Sequence, residues 1–359
     1  MNAQQLDQEK AEAFADGMVN VLNNACLALM LSIGHRTELF DKMANLSWAT
    51  SEKIAETASL NERYVREWLA SMVVGRVVEY DPAGKTYRLP AEHAAFLTRA
   101  ATPDNLAVFM QYVAVMGNVE DDIVDCFRNG GGVPYSGFPR FHEVMAEDSG
   151  QSVLPAIVDH ILPLAPGLVE AMKTGIDVLD LGCGSGRAIN LMAKAFPNSR
   201  FTGYDISDEA LAAGRAEAER MGLSNADFTI QDVTIMDDEA RYDLITAFDA
   251  IHDQAAPATV LSNIVTALRS GGVFLMQDLA GSSHLENNLE HPIAQFLYTI
   301  STMHCMTVSL AQDGAGLGTL WGEELAQRML AEAGFSDVSV QRLAHDIQNS
   351  YYICRNGKR

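Results

Sequence analysis

Val178-Leu179-Asp180-Leu181-Gly182-Cys183-Gly184-Ser185-Gly186 decides how the rest of the chain is read. It is an apolar strand pattern that runs into three closely spaced glycines and then, from Arg187, into a helical pattern. Glycines at the carboxyl end of a first strand let the backbone approach a ligand closely. The spacing departs from the dinucleotide form GxGxxG: the third glycine comes one residue early, and Arg187 stands where that form wants glycine. Asp180 also precedes the first glycine by two positions. A carboxylate there crowds a pyrophosphate but accepts hydrogen bonds from an ammonium group.

The rhythm around this loop is strand, helix, strand, helix. Strands are predicted at Ile176–Leu181, Arg200–Tyr204, Asp227–Ile230, Tyr242–Ala247 and Gly272–Gln277, with helices near Ala188–Phe196, Asp208–Met221 and Pro257–Leu268. The chain closes with a helix at Gly322–Ala333 and strands near Val338–Leu343 and Tyr351–Cys354. Such alternation gives an α/β fold with a parallel sheet covered on both faces. Two more acids end strands. Asp205, in Gly203-Tyr204-Asp205-Ile206, is placed to take both hydroxyls of a ribose, and Asp232, before Val233, to accept from an adenine amino group. The glycine loop and three acids in this order suit S-adenosylmethionine (SAM), which carries an amino acid rather than a pyrophosphate. The candidate cofactor residues are Asp180, Gly182, Cys183, Gly184, Gly186, Asp205, Ile206, Asp232, Val233 and Phe248.

The N-terminal half reads helical. Ala11–Leu31 carries apolar residues at Phe14, Met18, Val21, Leu22 and Leu29. A short helix starting within Ser47–Glu52 and continuing through Ile54 and Ala55, a second at Glu62–Val74 capped by Asn61, and a hairpin from Val77–Tyr80 and Thr86–Leu89 follow. This is a winged-helix pattern. Between Thr50 and Pro90, however, six acidic residues balance six basic ones, and a charge-balanced surface is poorly suited to phosphate. The Gly/Pro-rich stretch Asn129–Pro139 reads as an interdomain connection, and Arg140 to Leu164 as helical.

These motifs resemble the class I, Rossmann-like SAM-dependent methyltransferases. They resemble in particular bacterial winged-helix methyltransferases and the O-methyltransferases with an N-terminal dimerisation domain. The resemblance runs from about Met18 to Cys354 and implies methyl transfer to a small molecule, most readily at oxygen, by a homodimer. It matches His252, in Phe248-Asp249-Ala250-Ile251-His252-Asp253, to the family's general base, and Asp278 to an acid that holds that base in place. The insert Gly281–Trp321 corresponds to the wall of the substrate pocket, and its histidine, His304, is a second candidate base or substrate contact. Plant-type members carry a glutamate after this wall; none stands between Gly314 and Gly322.

The 359 residues leave room for two domains, expected at 1–150 (winged-helix-like, dimerising) and 151–359 (SAM-binding). A net charge of −22 disfavours nucleic acid as a partner. Met1–Lys10 has no secretory pattern, and Ala25–Ile33 alone is too short to span a bilayer, so neither export nor membrane insertion is expected. Five cysteines without CxxC spacing fit a reducing cytoplasm. No His/Asp/Glu cluster with metal-ligand spacing stands in the cleft sequence, so no metal is expected. Three rival readings are a winged-helix DNA-binding regulator that senses SAM, which the charge balance disfavours, an NAD-dependent oxidoreductase, which GxGxG and Arg187 disfavour, and a SAM-binding protein that has lost catalysis, which the sequence leaves open.

Overall fold

The computed structural model describes residues 6–357; residues 1–5 of the polar N-terminal stretch lie outside them. The chain divides into two compact units: Met1–Gly117 with Glu143–Gln151, and Asn118–His142 with Ser152–Arg359. The Gly/Pro-rich stretch read as a connection thus clusters with the second unit.

The first unit opens with one long helix, Gln8–Arg36, capped by Asp7, whose carboxylate accepts from the Lys10 amide. Helices Leu39–Met43, Ser51–Ala58 and Glu62–Val74 follow, then strands β1 (Glu79–Asp81) and β2 (Thr86–Arg88), paired antiparallel. A bridge between Ala49 and Tyr87 completes the wing. Phe40, Ile54, Leu69 and Met72 form its buried centre, and the Trp68 indole donates to the Met30 carbonyl at 2.9 Å. On Glu62–Val74, Arg63 pairs with Glu67 and Arg66 with Glu62, each one turn apart. Phe14, Met18, Val21 and Leu22 are all exposed. By length and composition this helix could also cross a membrane, a reach the shorter Ala25–Ile33 stretch did not reveal.

The second unit is built on a seven-stranded sheet. Its strands are β3 (Asp177–Leu181), β4 (Arg200–Asp205), β5 (Ala226–Ile230), β6 (Tyr242–Phe248), β7 (Leu268–Leu279), β8 (Asp337–Gln341) and β9 (Asn349–Arg355). The spatial order is β5-β4-β3-β6-β7-β9-β8, with β3 to β7 parallel and β9 antiparallel to both its neighbours. The chain steps outward from β3 to β5 and then returns to β6 on the other side of β3. That reversal opens a crevice at the carboxyl ends of β3 and β6. Both faces are covered. Leu179, Leu181 and Ile245 pack with Val260, Ile264 and Leu330 on one side, and Val178 and Leu244 with Ile189, Met192 and Leu211 on the other. Strands buried on both faces read as largely apolar runs, such as Leu244-Ile245 in β6 and Val273–Met276 in β7, which is why their positions were visible in the sequence.

Two segments depart from the expected form. The stretch read as one helix from Arg140 breaks into Phe141–Gln151, Val153–Ala156, a π-helical turn at Ile157–Ile161 and a 3-10 turn at Leu162–Leu164. Pro155 and Pro163 each remove a helical donor there. In the insert, Ala294–Ile300 and Met306–Leu310 are α-helical, and the residues between them, Ser301–Cys305, form a π-helical turn.

Candidate active site

The glycine loop turns sharply after β3. Gly182, Gly184 and Gly186 all have positive φ, at 64°, 51° and 66°. At Gly186 a side chain would also strike the Phe228 ring at 2.1 Å, whereas at Gly184 a Cβ would meet nothing within 4 Å. The third glycine serves packing, and the second leaves an open face of backbone. Asp205, at the end of β4, holds the loop: its carboxylate accepts from the Gly184 amide at 2.8 Å and from the Ser207 amide at 2.9 Å. Each oxygen keeps further acceptor capacity.

Asp180 is buried, and its carboxylate accepts from the Thr246 hydroxyl at 2.6 Å. Burial pushes its carboxyl up to about 7; the Thr246 bond opposes this and the charge of Asp205 adds to it. Burial likewise pushes the Cys183 thiol up, helped by Asp180 and Asp205, so the three side chains share one electrostatic neighbourhood. Asp232 is exposed, and its Oδ1 caps the turn at Val233–Ile235, accepting from the Thr234 amide at 2.8 Å and hydroxyl at 2.6 Å. Ile206 is exposed, Val233 is buried, and Phe248 ends β6 half-buried.

Beyond β6 the chain makes a strained turn. Asp249 has φ 50°; its amide donates to the Gln277 carbonyl at 3.1 Å, and its carboxylate accepts from the Gln277 amide nitrogen at 2.9 Å. This turn delivers His252 to Asp278 at the end of β7. His252 Nδ1 lies 2.8 Å from Asp278 Oδ1, with both side chains buried. Burial alone would lower the His252 pKa. The Asp278 charge and the neighbouring Cys305 outweigh it, and the imidazole titrates well above its ordinary range. The neutral-range titration expected of an isolated imidazole therefore does not apply to this one.

The sequence shows no metal-ligand spacing here, yet the fold brings three such side chains together. Ligand atoms of Asp249, His252 and Asp278 all lie within 4.8 Å of one another, brought together from two strand ends and a loop. Linear spacing hides such a group. In this arrangement His252 Nδ1 and Asp278 Oδ1 are engaged with each other.

Asp253, adjacent to His252, does not hold it; its carboxylate accepts from the Tyr135 hydroxyl instead. Burial, and then the Asp253 charge, push the Tyr135 phenol well above its usual value. Tyr135 belongs to the segment read as a connection. Only its Gly/Pro punctuation was visible in the sequence, and its partner lies 118 residues away. His304 is buried beside this segment, its ring stacked on Phe141 with 3.4 Å between centroids.

Comparison with known proteins gives the following. Residues 25–99 match the family described as the Rv2258c-like winged HTH domain, and residues 172–334 match the methyltransferase domain family. The chain is 26% identical over 154 residues to trans-aconitate 2-methyltransferase of Acidovorax sp. (strain JS42), covering 43% of this chain and 55% of that protein. It is 27% identical over 198 residues to the ubiquinone biosynthesis O-methyltransferase of Coxiella burnetii (strain Dugway 5J108-111), covering 50% and 76%. The chain spans between 22% and 55% of the length of the first three curated relatives it matches. Among solved structures, human N-acetylserotonin methyltransferase in complex with SAM aligns with a TM-score of 0.67 at 16% identity, covering 100% of both chains. An O-methyltransferase family protein from Burkholderia thailandensis aligns with a TM-score of 0.67 at 12% identity, covering 98% of both. At these identities the structures share the fold.

Proposed function

We propose that this chain, whose residues 25–99 match a winged helix-turn-helix family and whose residues 172–334 match a methyltransferase family, transfers a methyl group from SAM to an oxygen of a small molecule, with His252 as the base. The observation that carries this reading is the buried His252–Asp278 pair, at 2.8 Å, at the carboxyl edge of the sheet that also bears the Gly182–Gly186 loop.

The residues fit the cofactor. Gly184 leaves its backbone open to an approaching ligand. Asp180 is a buried carboxyl whose raised pKa a cation beside it would bring down. Asp205 keeps acceptor capacity for two ribose hydroxyls. Asp232, with Oδ1 given to a cap, has Oδ2 for the adenine amino group, and Ile206, Val233 and Phe248 flank these strand ends as apolar contacts. SAM, when bound, supplies an electrophilic methyl group on a sulfonium.

The chain's own residues do the remainder. Asp278 accepts from His252 Nδ1–H, which fixes the tautomer; the ring also bonds the Cys305 side chain, and the acceptor hydroxyl has to replace that bond for Nε2 to take its proton as the oxygen attacks. No metal is needed for the chemistry, since His252 supplies the proton acceptor. Holding the acceptor in line contributes the larger part of the rate. Two such chains pair through the exposed apolar face of Gln8–Arg36, in a reducing, cytoplasm-like compartment.

Calorimetry with SAM tests the cofactor assignment. Asp205→Ala should bind SAM at least about tenfold more weakly than the parent, having lost a charged hydrogen-bond acceptor. Equal affinity would remove Asp205 from the site, and tight binding of NADH by the parent would overturn the reading.

A further inference from the structure

Asp278 is fully buried, yet only one of its carboxylate oxygens is engaged. Oδ1 accepts from His252 Nδ1–H and from the Leu279 amide, both at 2.8 Å, while Oδ2 has no hydrogen-bond partner. A buried carboxylate oxygen without a donor is costly, and buried charges are paired or bind metal. The pairing here is incomplete. His252, 3% exposed, supplies at most one positive charge, and the Asp249 carboxylate draws on it together with Asp278.

The three side chains converge from separate parts of the sheet edge. Asp249 follows β6 in the left-handed turn at φ 50°, His252 lies three residues on, and Asp278 stands at the end of the neighbouring strand β7. One ligand atom from each lies within 4.8 Å of the other two. Two ligands of one zinc ion lie at most about 4.2 Å apart, each bond being near 2.1 Å, so the trio closes around an ion by moving about half an ångström. Asp249 is only half-buried, which leaves the cluster a route to solvent.

The donor set decides the kind of ion. An imidazole with two carboxylates suits zinc and its transition-metal neighbours, whereas magnesium and calcium ask for oxygen ligands throughout. The His252 ring is also supported as a metal-bound imidazole is. Nδ1 lies against the Asp278 carboxylate, and the ring is held as well by its bond to the Cys305 side chain. In metal sites an outer partner on the second ring nitrogen fixes the orientation of the first in the same way.

We propose that Asp249, His252 and Asp278 form an inhibitory site for zinc. The ion takes the place of the proton on His252 Nδ1. The neutral, metal-bound ring carries its single proton on Nε2, and any excess proton leaves to solvent. A ring in that state has no lone pair for the acceptor hydroxyl. Zinc binding needs nothing from the methyl-transfer reading; the inhibition rests on it, through His252 as the base.

The test uses zinc chloride and the full-length protein, freed of metal by chelator and exchanged into clean buffer, without SAM. Calorimetry should show zinc bound at one site per chain and no binding of magnesium. Asp249→Asn and Asp278→Asn should each weaken zinc by more than about tenfold, the least that losing even an outer partner of a metal ligand costs, with circular dichroism showing that both variants fold. Cobalt(II) in the parent should give the visible absorption of a low-coordinate site and lose it to zinc, a readout that needs no variant. The exposed rings of His160 and His345 lie 5.1 Å apart and are the control: the double variant His160→Ala/His345→Ala should bind zinc as the parent does. Zinc should stop methyl transfer at the concentration that fills the site, and chelator should restore it. No zinc binding by the parent, affinity unchanged in both aspartate variants, loss of binding in the histidine-pair variant, or transfer that zinc accelerates would overturn the proposal. Zinc bound as expected by a protein that transfers no methyl group would leave the site standing and sink the methyl-transfer reading instead.

Discussion

Asp180 is the residue at which burial and charge are most opposed. Its carboxyl, pushed up to about 7, lies well above the value near 3.9 of an exposed aspartate. The sign follows directly. An acid whose folded pKa is raised loses stability as pH climbs from the unfolded value through the folded one, so ionising Asp180 in the free protein costs stability between about pH 4 and 7. An ammonium group placed beside it reverses the preference. Binding SAM near pH 7 should therefore release a fraction of a proton, and affinity should rise between pH 6 and 8. Calorimetry in two buffers of different ionisation enthalpy measures that release. The parent should show buffer-dependent heats and Asp180→Asn should not; buffer-independent heats in the parent would contradict the placement of the cation.

At the scale of elements, two arrangements make separate predictions. The turn after β6 and the end of β7 together create the His252–Asp278 pair. The histidine's raised pKa means that the neutral, proton-accepting form appears only above the ordinary imidazole range. The pH profile of kcat/KM should thus rise through a limb above about 6.5. Asp278→Asn removes the charge that holds the proton, leaves burial unopposed, and should move the limb to lower pH while lowering the plateau rate. A limb at the same pH in both proteins would show that another group titrates. The second arrangement is the helix Gln8–Arg36, whose side chains at Phe14, Met18, Val21 and Leu22 face solvent in the single chain. An apolar face of that extent is unusual on a monomer. Light scattering at micromolar concentration should report a dimer for the parent and a monomer for Met18→Glu/Leu22→Glu. A monomeric parent would refute pairing through this helix.

Across the whole molecule, the parts legible in the sequence were those that local pattern determines. Strands β3, β6 and β7 were visible as largely apolar runs because both sheet faces are covered, and the helix Gly322–Ala333 because Gly334 stops it with φ 114°. The acids at the strand ends followed from that alternation. What sequence pattern hid was made by contacts between distant residues. Tyr135 reaches Asp253 across 118 positions, and Asp249 joins His252 and Asp278 only after two strands align. The π-turn that carries His304 has no signature in residue types, since Ser301–Cys305 reads as plain helix. The pKa of His252 is likewise a property of its neighbours rather than of its motif.

The central claim is that this chain moves a methyl group from SAM to a hydroxyl through His252. Its most direct measurement is transfer of label from methyl-labelled SAM to a phenol panel, with chelator present, by the parent and by His252→Ala, alongside SAM affinity for both. The parent should transfer label, and the variant should keep nearly unchanged SAM affinity with a rate lower by about 10²–10⁴-fold, the usual contribution of a general base. Equal rates for the two proteins, or transfer that stops when chelator is added, would contradict it.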